Sequence, residues 1–168
     1  MTGPVRPRGS RRACPRRLFA GLLVSVLGFA SGRPATANLA EQAQALVERA
    51  AAHIRAIGSA QGFADISRPD GAFTEGELYV FCQSADGHVL ANGGNPRLVG
   101  RNLAALRDAE GRLPIAEINR VGLTDGQGWV EYLWPNPQTH RVQRKITYVV
   151  RIDDQTVCGS GFYKADQP

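Results

Sequence analysis

A chain of 168 residues, 43% hydrophobic and 21% charged, is sized for one domain. Its formal net charge of +5 is unevenly placed: residues 1–37 carry seven arginines and no acid, leaving 13 basic against 15 acidic side chains in residues 38–168. A nucleic-acid footprint needs basic residues gathered on the folded domain, so nucleic acid is excluded as a partner.

The N-terminal stretch has the layout of an export leader. Arginines precede an apolar run from Leu18 to Ala30, which is shorter than the roughly 20 residues a bilayer span requires. Small residues at cleavage spacing follow in Ala35–Thr36–Ala37, so residues 1–37 read as a cleavable signal peptide and Asn38 as the mature start. Arg16–Arg17 ahead of Leu18–Phe19 resembles a twin-arginine signal, with Pro15 where Ser or Thr is usual and no Lys after; general secretion is the alternative. No later stretch is apolar enough to span, so the mature protein is expected to be periplasmic or secreted, with no transmembrane anchor. Cys14 leaves with the leader. Cys82 and Cys158 remain in an oxidising compartment, as one bridge or as two free thiols.

Asn38 to Ile57 predicts a helix, because Leu39, Ala43, Leu46, Val47, Ala50, His53 or Ile54, and Ile57 recur at three- and four-residue steps. Gly58 marks its stop. Residues 59–76, rich in Gly, Asp and Pro, read as loop or short turns pinned by Phe63, Ile66 and Phe73. Leu78 to Ser84 is a strand apolar on both faces and therefore central. Asp86–Gly87 is a hairpin turn signal, and His88 to Ala91 returns as the second strand. Two short helical patterns follow, Leu98, Val99, Leu103 and Leu106, then Ile115, Ile118, Val121 and Leu123. Strand-forming runs close the chain at Trp129 to Trp134, Val142 to Ile152 and Val157 to Lys164. The sum is an α+β domain: one long helix and a five-stranded antiparallel sheet, with two short helices between strands 2 and 3.

Chemistry-bearing patterns are sparse. His53, His88 and His140 lie in unrelated elements without metal-ligand spacing, so no metal is expected. Gly93–Gly94 lacks the following Lys and Ser or Thr of a phosphate loop. Ser160, in Gly159–Ser160–Gly161, lacks a nucleophile elbow, and those glycines instead permit close approach of a helix or ligand to the sheet. No catalytic residue and no cofactor is expected. The informative cluster is aromatic: Tyr79 beside Phe81, Tyr132 beside Trp134, and Lys145 inside a strand three residues before Tyr148. A lone cation among strand aromatics can neutralise a carboxylate while the rings exclude water. The alternative is plain core, with Lys145 reaching solvent. Strand alternation puts Lys145 and Tyr148 on opposite faces unless a bulge intervenes.

The segments Leu78–Phe81, Asn95–Leu103, Gly128–Pro137, Lys145–Val149 and Gly159–Tyr163, in this order, resemble the single Cache sensor domain over roughly residues 39–164. The paired motifs Tyr132-x-Trp134-Pro-x-Pro and Lys145-x-x-Tyr148-Val carry most of that likeness. The resemblance implies an extracytoplasmic sensor with a long helix on a PAS-like sheet, and a pocket for a short organic acid on the face away from that helix. Tyr79, Asn92, Tyr132, Trp134, Lys145 and Tyr148 are the ligand-binding candidates it implies. Asn92 stands where the family often carries His. The resemblance also makes the first and last strands neighbours, so Cys82 and Cys158 become a disulfide candidate, for which Cα atoms about 4.4–6.8 Å apart are needed. The expected module, residues 38–168, has no signalling output of its own and serves a membrane receptor or transporter. The alternative is a non-catalytic interaction domain with a degenerate pocket, docking on a membrane or envelope partner.

Overall fold

A computed structural model of the chain describes Gly3 and residues 35–165. The leader assigned to residues 1–37 lies outside the described residues, apart from Gly3 and its last three, which open the first helix. Helix α1 (Ala35–Ile57) turns Ala43, Leu46, Val47, Ala50, Ala51 and Ile54 to the core. Gly58, at φ 89°, ends it. The chain does not then stay irregular. Helix α2 (Ser59–Ile66) begins at once, correcting the loop expected over 59–76. The residue that made this stretch look like loop, Gly62, is a helix-to-helix contact point: a Cβ there would lie 2.8 Å from Cγ1 of Ile54. Ile66 and Phe73 are buried and Phe63 packs beside them, as expected.

The sheet is antiparallel throughout. Its strands are β1 (Thr74–Glu75), β2 (Leu78–Ser84), β3 (Val89–Asn92), β4 (Gln127–Pro135), β5 (Val142–Asp153) and β6 (Thr156–Tyr163). The order is β1-β2-β6-β5-β4, with β3 paired to the later half of β2, so two-residue β1 adds a sixth strand to the five expected. Period-two alternation divides the side chains between two cores. Leu78, Val80, Cys82, Tyr148, Val150, Cys158 and Phe162 meet α1. Tyr79, Phe81, Val130, Tyr132, Val149, Val157 and Tyr163 form the opposite core. Strand β2 is covered on both faces, as its composition predicts.

Between β3 and β4 runs a lid over that second core. Its first part is not a helix. Only the 3₁₀ turn Pro96–Leu98 forms before Gly100 takes φ 83°, and the backbone is irregular as far as residue 113. The second part is α3 (Pro114–Arg120), which widens into a π-helical turn over Val121–Asp125. Cys82 and Cys158 face each other across β2 and β6 and are bonded, S–S 2.03 Å, beneath α1. Their Cα atoms are 4.0 Å apart, closer than the expected separation. Among the described residues no helix is long and apolar enough to cross a membrane.

Candidate functional site

The site grows from register. Lys145 on β5 lies between Tyr132 of β4 and Tyr163 of β6, all three on the lid face. In the next row Thr147 stands between Val130 and Gly161, and Gly161 pairs with Tyr79 of β2. Two neighbouring glycines, Gly159 and Gly161, keep this floor low. A Cβ at Gly159 would meet the Phe81 ring at 2.8 Å, and one at Gly161 would meet Cα of Thr147 at 2.7 Å. Their role is therefore to let Phe81 and Thr147 lie across the sheet.

Lys145 is fully buried, and its Nζ has no hydrogen-bond partner among the described residues. The amine sits 3.6 Å from the centre of the Tyr79 ring, 5.2 Å from that of Tyr163 and 5.6 Å from that of Phe81. Electron-rich ring faces attract a cation but do not replace the hydrogen bonds water gave it. Burial drives the Lys145 pKa well below its ordinary value, and the charge of Glu77, in the β1–β2 turn, only partly opposes this.

The rings are themselves fixed. Tyr79 donates from its hydroxyl to that of Tyr163 (3.1 Å), which donates to the Pro135 carbonyl (2.9 Å). The Tyr132 hydroxyl and Thr147 Oγ1 are 3.1 Å apart, and Trp134 packs edge-on against Tyr132. Burial raises the Tyr79 phenol to about 12 against the opposing contacts with Tyr163 and Trp134, and it raises Tyr132 and Tyr163 as well. All three phenols are protonated donors at neutral pH. The backbone of the β3–lid loop lies directly on the Tyr79 ring, since a Cβ on Gly94 would come within 2.7 Å of it.

A cavity of about 20 Å³ opens between Phe81, Gln83, Asn92, Tyr132 and Trp134 below and Leu103, Ile115 and Ile118 of the lid above. That is room for a single water. The lid over it is clasped by polar groups. Gln83 donates from Nε2 to the Ile115 carbonyl (3.0 Å) and to Oδ1 of Asn119 (2.8 Å), whose Nδ2 donates to the carbonyls of Ser84 and Ala85. Asp108 accepts from the backbone N–H groups of Glu110, Arg112 and Leu133. Burial alone would raise its carboxyl, but these bonds and the Arg112 guanidinium outweigh it and lower the pKa.

Four of the six ligand-binding candidates, Tyr79, Tyr132, Trp134 and Lys145, come together on one face. Asn92 lines the same cavity, but its Oδ1 accepts from the Asn95 backbone (2.8 Å), so it also fastens the loop. Tyr148 is corrected: it points to the other face and packs on Trp129, ring centres 4.9 Å apart, because β5 has no bulge between it and Lys145. Sequence reasoning missed Tyr163, Thr147, Gln83 and Asn119. Tyr163 was reachable by stepping two residues at a time from Val157 through both glycines.

The single Cache domain 2 family matches residues 37–166. No curated protein matches the chain. Among solved structures, the chain is similar to the periplasmic sensor domain of a chemotaxis protein at 26% identity and TM-score 0.61, over 77% of this chain and 93% of that one. It also shares its fold with a methyl-accepting chemotaxis protein from Vibrio parahaemolyticus RIMD 2210633 (19% identity, TM-score 0.64, 74% of this chain and 87% of that). A third is a Cache chemosensory domain whose structure was solved for carboxylic acid recognition (22% identity, TM-score 0.59, 77% and 91% covered). The helix on an antiparallel sheet, the lid over the far face and the sequence match agree: this chain belongs to the single Cache domain 2 family of sensory ligand-binding modules.

Proposed function

We propose that this protein is a non-catalytic, extracytoplasmic binding module for a short organic acid, which it presents to a membrane receptor or transporter. The observation that carries this reading is the buried, unpartnered amine of Lys145 inside a wall of tyrosines. A carboxylate beside it would accept from the amine and from reoriented phenols, satisfying a group the free protein leaves unsatisfied. The Cys82–Cys158 bond supports an oxidising location, and the carboxylic-acid-recognising Cache structure supports the ligand class. The cavity is too small for such a guest as it stands, so binding must displace the lid that the Gln83–Asn119 clasp holds down.

Calorimetric titration with acetate, propionate and pyruvate tests this. At least one acid should bind, and Lys145→Met should weaken it by about 1.5–3 kcal/mol, the worth of a charged hydrogen bond. Absence of both heat and thermal shift with all three rejects the carboxylate reading. The narrowness of the cavity favours one second reading, an interaction domain whose pocket has closed. In that case no small acid binds and the free protein is captured only by an envelope or membrane partner.

A further inference from the structure

Resting on the anion-binding reading above, one consequence concerns the proton that accompanies the ligand. Lys145 has no solvent exposure, and its Nζ makes no hydrogen bond. The groups that face it can be taken element by element. From β2 come Tyr79 and Phe81, from β6 Tyr163, from β4 Tyr132, and from β5 itself Thr147, all neutral at ordinary pH. The lid presents Leu103, Ile115 and Ile118 to the adjoining cavity, and its acids are spent on arginines, Asp108 and Glu110 on Arg112, Glu117 and Asp125 on Arg120. Glu77 is the acid whose charge acts on the amine, and no hydrogen bond joins the two. An ammonium here would be a bare charge in an apolar box, which proteins avoid by releasing the proton.

We propose that Lys145 is held as a neutral amine in the free protein and becomes an ammonium only when the anion arrives, so that binding takes up a proton from solvent. The balance is simple: R–COO⁻, H⁺ and the R′–NH₂ of Lys145 give the ion pair R–COO⁻···⁺H₃N–R′, with one N–H bond formed and nothing oxidised or reduced. The carboxylate supplies the counter-charge that Tyr79, Tyr163 and Phe81 cannot. The site therefore reads the anion and the proton together, which is thermodynamically the same as reading the undissociated acid. Its apparent affinity falls as the medium becomes alkaline, although the acid itself is fully ionised throughout.

The same three acids, titrated at neutral pH in PIPES and in Tris, test this through the dependence of the heat on buffer ionisation. The expected result is uptake approaching about one proton per acid bound, with affinity weakening by up to about tenfold for each pH unit of rise. A direct check reads the amine itself: the ¹³Cε resonance of Lys145, assigned as the one missing in Lys145→Arg, should titrate below the range of the other lysine in the free protein and above it when acid is saturating. Binding with equal heats in both buffers, or a Lys145 resonance that titrates like an exposed lysine, overturns the proposal and leaves the anion site intact. Silence from every acid in both buffers, with a Lys145 resonance unmoved by any of them, overturns the anion site and the proton uptake with it.

Discussion

Lys145 occupies the position in β5 where a strand this deep in a sheet would ordinarily hold Val or Ile. In the absence of ligand the side chain is a cost, because a buried polar atom without a partner loses its water bonds and gains none. Lys145→Met keeps the length and removes the amine, so it should raise the stability of the free protein in denaturant melts, by about 1–3 kcal/mol where the lysine is neutral both folded and unfolded and by more where only the unfolded chain is protonated. The gain should depend on pH. A lysine with a depressed pKa in the fold binds fewer protons folded than unfolded, so wild-type stability rises with pH up to the ordinary lysine value of 10.5. The advantage of the Met variant is accordingly largest at low pH and narrows by up to about 1.4 kcal/mol per unit as alkali is added. A constant gap across that range would show that the amine is charged in the fold. Tyr79 acts in the opposite sense, since its phenol, raised to about 12, favours the fold below the ordinary tyrosine value of 10.0 and loses that contribution above it.

At the scale of elements, the lid is attached by few but well-made bonds. Asn119 fixes α3 to the β2 end through three of its hydrogen bonds, and Gln83 reaches the same helix from beneath. Asn119→Ala strands the Ala85 carbonyl and one Gln83 donor bond, leaves the Ser84 carbonyl with the Gly87 N–H alone, and should cost about 1–3 kcal/mol of stability. It should also speed ligand association in stopped-flow if lid opening limits access; an unaltered rate would place the route elsewhere. Sequence reading handled elements with a strong period well. The stripe of α1 is unambiguous because it buries one face, and the apolar runs of β2 and β6 because they are buried on both. It failed where a residue's role is tertiary. Gly62 looks like a breaker until Ile54 is beside it, and Leu103 looks helical until Gly100 and the Asp108 loop redirect the chain. The site followed the same division: Lys145 and the Tyr132–Trp134 pair stood out as chemistry misplaced in strands, and alternation alone already set Tyr148 apart. Alternation along β6 gives Tyr163 its face, but its contact with Tyr79 and the Gln83–Asn119 clasp depend on which elements adjoin, which no local pattern states.

For the whole molecule, the Cys82–Cys158 bond closes a loop of 76 residues in sequence and joins β2 to β6. Constraining an unfolded chain over such a span stabilises the fold by about 2–4 kcal/mol. The Cys82→Ala/Cys158→Ala double variant should lose that much in urea melts, with acid binding retained, because both sulfurs lie on the α1 side of the sheet and not on the Lys145 side. Loss of binding in a variant that is still folded would mean that the two faces are coupled through β2 and β6. The same strand order has a temporal implication. Strand β6 is an interior plank, inserted between β2 and β5, so the sheet stays split into two halves until β6 is in place. Until then both halves expose unpaired strand edges and apolar surface, the condition in which a folding chain is most prone to aggregate.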